Sequence, residues 1–99
     1  MKVVVAFESG KKIFGELVVS KSKIYDESCK VFLATNEKSI DGSWGGIEFE
    51  FPKYKCFFCF GTQTISDIIG TKYGCLDGSG DKFVVYQYKE NEDFKDIEL

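Results

Sequence analysis

The chain of 99 residues contains no histidine and no arginine. Without histidine there is no Ser-His-Asp triad, no Cys-His pair and no imidazole metal ligand. Without arginine there is no bidentate phosphate clamp and no arginine finger. Cysteine, lysine, tyrosine and paired carboxylates remain for catalysis, but the commonest general base near neutral pH is missing. Proline occurs once, at Pro52, and the apolar run near the start, Val3-Val4-Val5-Ala6-Phe7, lasts five residues before Glu8. Such a run is too short for a signal-peptide core, and a membrane helix needs about 18 apolar residues. The expectation is therefore a cytoplasmic protein with reduced thiols.

What is present describes a globular chain. Apolar residues make up 43% and charged residues 29%, too apolar and too weakly charged for a disordered segment. The length fits one domain with a modest core that needs no staples. Charge is uneven. Residues 90–99 hold five acids and one lysine, whereas the first 89 hold 12 lysines and 11 acids. The organisation expected is a β-rich domain over 1–89 and an acidic C-terminal tail over 90–99. Phe94, Ile97 and Leu99 interrupt the tail's charges, so its bland reading is a solvated terminus and its functional one an acidic handle.

Period-two alternation dominates the body. Val3, Val5 and Phe7 alternate with Val4 and Ala6, apolar on both faces, as in a central strand. Ser9-Gly10-Lys11 supplies a turn, and Lys12 to Val19 returns as the second strand of a hairpin. In Lys30 to Thr35, Val31 and Leu33 alternate with Phe32 and Ala34. Ile47-Glu48-Phe49-Glu50-Phe51 alternates most cleanly and reads as a half-buried strand ended by Pro52. Lys53 to Phe60, Tyr73 to Leu76 and Lys82 to Lys89 complete the set. One short helix is expected at 64–70, with a Thr64 cap, Asp67 three residues on, and Gly70 at its end. Ile65, Ile68 and Ile69 then form one apolar stripe. The fold class is mainly β: a small antiparallel barrel or sandwich of about seven strands with one short helix.

Four constellations invite chemistry, and each has a plainer reading. Cys56-Phe57-Phe58-Cys59, with Cys29 and Cys75, offers four thiols for a zinc or redox module. On a strand, however, residues three apart point to opposite faces, and free cysteines are commonly buried packing. The aromatic stretch Trp44 to Phe60, with Lys53 and Lys55, could stack single-stranded nucleic acid, but its alternation places most rings in a core. Asp77-Gly78-Ser79-Gly80-Asp81 lacks the remaining ligands of a calcium loop and reads as a hairpin turn. Glu48 and Glu50, about 7 Å apart on the expected strand, have no evident cleft around them.

No motif covers enough of the chain to assign a family. The reading favoured is a non-enzymatic, cofactor-free inhibitor that binds one basic protein partner, in the manner of an immunity protein neutralising a toxin or nuclease. Acidic groups would steer the partner and aromatic anchors would hold it. The contact candidates are Trp44, Glu48, Glu50, Asp77, Asp81, Glu92 and Asp93. The alternatives are a zinc- or thiol-dependent module and a single-strand nucleic-acid-binding β-barrel. Neither nucleic acid nor membrane is the expected partner.

Overall fold

The structure, a computed structural model, describes residues 1–21, 29–38, 40, 46–74 and 80–88. Six strands lie among them: β1 (Lys2–Phe7), β2 (Lys12–Lys21), β3 (Cys29–Thr35), β4 (Cys56–Cys59), β5 (Lys72–Tyr73) and β6 (Phe83–Gln87). Two four-residue helices, α1 (Ile47–Glu50) and α2 (Ile65–Ile68), complete the described elements. The strands form one antiparallel sheet in the order β4-β3-β2-β1-β6-β5, curled into a half-barrel. The mainly β class is thus correct. Six strands replace the expected seven, and they make one curled sheet.

The curl follows from where the apolar residues point. Val3, Val5 and Phe7 of β1 share the inner face with Ile13 and Leu17 of β2, Val31 and Leu33 of β3, and Phe83 and Val85 of β6. These side chains are almost completely withdrawn from water, and burying each contributes about 1.5–3 kcal/mol. Phe83 is the hub of this layer. Its ring centroid lies 5.9 Å from Phe7, 5.7 Å from Tyr73, 6.3 Å from Phe58 and 6.4 Å from Phe60. Phe60 follows one edge strand and Tyr73 belongs to the other, and their rings meet at 5.2 Å. The Tyr73 hydroxyl also donates to Gln63 Oε1 at 2.7 Å. The two edges of the sheet are therefore drawn together over the inner core, and burial pushes the Tyr73 phenol above its ordinary pKa.

Helix α2 forms as its sequence predicts. The Thr64 hydroxyl accepts from the Asp67 N–H at 3.2 Å, and Gly70 takes a left-handed φ of 81° just past the end. Ile68 is buried in the inner core, with Ile65 and Ile69 packed against it. So short a helix depends on this packing rather than on propensity.

The outer face has its own smaller core, made by Val18, Phe32, Ala34, Ile47 and Phe57. Here the sequence reading requires correction. Ile47 to Phe51 is not a strand; Ile47–Glu50 is helix α1, entered from Gly46 at φ 88°. The Phe51 N–H donates to the Ile47 carbonyl at 3.0 Å, and Ile47 and Phe51 face the outer core together. Apolar residues at i, i+2 and i+4 satisfy a strand face, but i and i+4 alone satisfy a helix face, and so short a run does not separate the two. The residue left over is Phe49, which is 84% exposed. The strand expected from Lys53 is also shorter, beginning at Cys56. Tyr54, expected beside Cys56 and Phe58, packs instead against the outer core.

Candidate functional site

Helix α1 carries two of the expected contact residues on an exposed turn. Glu48, Phe49 and Glu50 are all exposed, while Ile47 anchors the turn from below. Glu50 is not solvated alone, because it accepts a hydrogen bond from the Ser20 hydroxyl at the end of β2. That bond pins the helix to the sheet. The result is an aromatic ring in water between two carboxylates, held by a buried isoleucine. Phe49 was missed from sequence because its alternation assigned it to the core.

Asp81 lies elsewhere. Its carboxylate accepts from the Ser9 N–H at 3.2 Å and from the Ser9 hydroxyl, tying the β1–β2 turn to the start of β6. Ser9 sits at the turn end of the hairpin and Ser20 at the far end of β2. The rise per residue of a strand puts these ends roughly 30 Å apart. One small patch therefore does not join Asp81 to Glu48 and Glu50, and Asp81 acts as a clamp on the hairpin. Trp44, Asp77, Glu92 and Asp93 lie outside the described residues, as do Cys75, the tail 90–99 and the rest of the loop holding Trp44.

The cysteines divide by face. Cys56 packs against the inner core and Cys59 against the outer one, as residues three apart on a strand should. Cys59 Sγ accepts from the Gly61 N–H at 3.2 Å, and Cys29 is exposed rather than buried packing. Among the described residues no three of His, Cys, Asp and Glu cluster closely enough to hold a metal ion. No described helix is long and apolar enough to cross a membrane. The stacking platform expected over 44–60 is core where it is described: Phe57 and Phe60 are buried, and Phe58 packs on Phe83.

A second surface feature was not anticipated. An open groove of about 750 Å³ runs along the outer face beside Tyr54, lined by Phe14, Tyr88, Lys2, Lys12 and Asn36 among others. Its rim is a charged network. The Tyr54 hydroxyl donates to Glu16 Oε1 at 2.8 Å, and Lys53 Nζ stands 3.3 Å from the same oxygen. The Tyr54 hydroxyl and then Lys53 hold the Glu16 carboxyl below its ordinary value of 4.5, against a smaller opposing effect of burial. Burial and then the Glu16 charge push the Tyr54 phenol up, so it stays protonated and serves as a donor. Asn36 fixes the rim, donating to the Lys53 carbonyl at 3.1 Å and accepting from the Lys55 N–H at 3.0 Å. Tyr86 and Tyr88 were legible as face-sharing residues, but only the register brings Phe14 beside them.

No protein-family model, no curated protein and no solved structure matches this chain.

Proposed function

We propose that the protein is a non-enzymatic, cofactor-free inhibitor that works by direct binding to one basic protein, as an immunity protein neutralises a toxin or nuclease in the cytoplasm. The observation carrying this reading is the Glu48-Phe49-Glu50 turn, with Phe49 84% exposed between two exposed carboxylates. Exposed aromatics that enter a partner's pocket are the usual anchors of tight interfaces, and flanking charge sets the rate and choice of partner. The chain's net charge of −3 favours a basic partner. Trp44, Asp77, Glu92 and Asp93 complete the proposed contact set, and Asp81 supports the hairpin rather than the contact. The test is co-purification of tagged protein from its native cell. A basic protein retained by the wild type and lost when Phe49→Ala and Glu48→Lys are combined supports the reading. Equal retention by that folded variant, or the absence of any such partner, refutes it.

A further inference from the structure

The outer face of β2, β1 and β6 holds a feature the protein-binding reading does not use. The strand register sets the side chains of this face in three rows. One is Lys12, Ala6 and Val84; the next is Phe14, Val4 and Tyr86. In the third, Glu16 lies opposite Lys2, and the Tyr88 N–H donates to the Lys2 carbonyl at 2.9 Å. The middle of each of the first two rows is small, and Val4 is fully buried. Phe14 is 47% exposed and Tyr86 46% exposed on either side of it. Two interstrand spacings separate their backbones, about 10 Å. The Tyr88 ring meets Phe14 edge-on, with centroids 5.3 Å apart. Three aromatic rings therefore border a shallow trough, with lysines in the rows at its two ends.

We propose that this groove binds a nucleotide, with its base stacked on the Phe14, Tyr86 and Tyr88 rings and its phosphate near Lys2 or Lys12. Exposed rings give a sequence-tolerant stacking surface, because every base has a π-face. The volume of about 750 Å³ lies in the range of small-ligand sites. Charge agrees in sign. Lys2, Lys12 and Lys53 border the groove against Glu16 and Glu37, and the described residues carry ten lysines against seven acids. An anion is thus favoured here, whereas the α1 turn suits a cation. The rings are not those that sequence alone nominated: the core claims the described rings of 57–60, and these three come from β2 and the end of β6.

The nucleotide can be free or part of a single strand, and one experiment separates the two. The full chain is titrated into a fluorescein-labelled ten-residue oligothymidylate at 50 and 200 mM salt and followed by anisotropy. Thymidine monophosphate is then added as competitor. Saturable binding is expected, with Tyr86→Ala weakening it about 10-fold. Lys12→Gln should reduce the dependence of log affinity on log salt by about 0.7. Displacement by millimolar thymidine monophosphate marks a site for a single nucleotide; retention of the oligomer marks a strand-binding groove. Phe49→Ala should leave the titration unchanged, so failure here leaves the protein-partner reading standing. No saturable binding at 50 mM salt, or equal binding by a folded Tyr86→Ala variant, overturns the proposal. Tyr86 is exposed, so loss of binding in that variant is not a consequence of unfolding, and an unchanged circular dichroism spectrum checks this.

Discussion

Tyr54 and Glu16 meet across 38 positions of chain, the Tyr54 hydroxyl donating to Glu16 Oε1 at 2.8 Å. This contact and the Ser20–Glu50 bond are the polar ties that hold the segment from α1 to Tyr54 on the sheet. They fix where Phe49 stands.

Tyr54→Phe removes the donor and leaves Glu16 with Lys53. The expected cost is about 1 kcal/mol, measured by urea unfolding. The pH dependence has a definite sign. Glu16 is held below 4.5 in the folded chain, so its contribution is present above that value and is lost as pH falls through the lower folded pKa. Stability of the wild type should therefore fall more steeply below pH 4.5 than that of Glu16→Gln. Parallel acid limbs for the two proteins would contradict the assignment.

Gly15 is a packing requirement rather than a turn. A Cβ there would stand 2.7 Å from the Ala34 carbonyl oxygen and 3.0 Å from Leu33 Cδ1, closer than side chains approach backbone. Nearby, the Thr35 hydroxyl donates to the Phe14 carbonyl at 2.9 Å, so β3 ends tight against β2. Gly15→Ala should destabilise by about 1–3 kcal/mol, since β2 or β3 must shift to admit the methyl. A thermal unfolding midpoint unchanged from wild type would show that the approach is looser than described.

The two phenylalanines Phe83 and Phe49 should behave oppositely. Phe83 is 1% exposed among four rings, and Phe83→Ala should cost about 3–5 kcal/mol. Phe49 is 84% exposed, and Phe49→Ala should change stability by less than about 0.5 kcal/mol. A large loss on truncating Phe49 would restore the strand that the sequence pattern alone implies.

Much of the sheet was legible because its pattern was redundant. β1 is apolar on both faces and lies between β2 and β6, as a central strand must. Val31 and Leu33 face one core and Phe32 and Ala34 the other, as their alternation required. The cap at Thr64 and the left-handed Gly70 marked α2. The error at 47–51 arose where three apolar positions fitted two periodicities, and tertiary packing of Ile47 and Phe51 decided between them. The groove was illegible for a different reason. Phe14 and Tyr86 flank Val4 only through strand register, and no local signal reports which distant strands pair.

The thiols should fall into kinetic classes. Cys29 is exposed, while Cys56 and Cys59 are half-buried on opposite faces of β4. A thiol reagent added to the native protein should modify Cys29 well before Cys56 or Cys59, and Cys29→Ser should delete that early signal in peptide mapping. Early modification of Cys56 and Cys59 together would show that β4 does not hold them apart.

The central claim is that the exposed turn of α1 is the recognition surface. Its most direct measurement is recovery of the partner by tagged wild type and by the Glu48→Lys, Phe49→Ala double variant, both shown to unfold at the same temperature. The account predicts that a basic protein accompanies the wild type in stoichiometric amount and is lost from the double variant. Equal recovery by both proteins would contradict it.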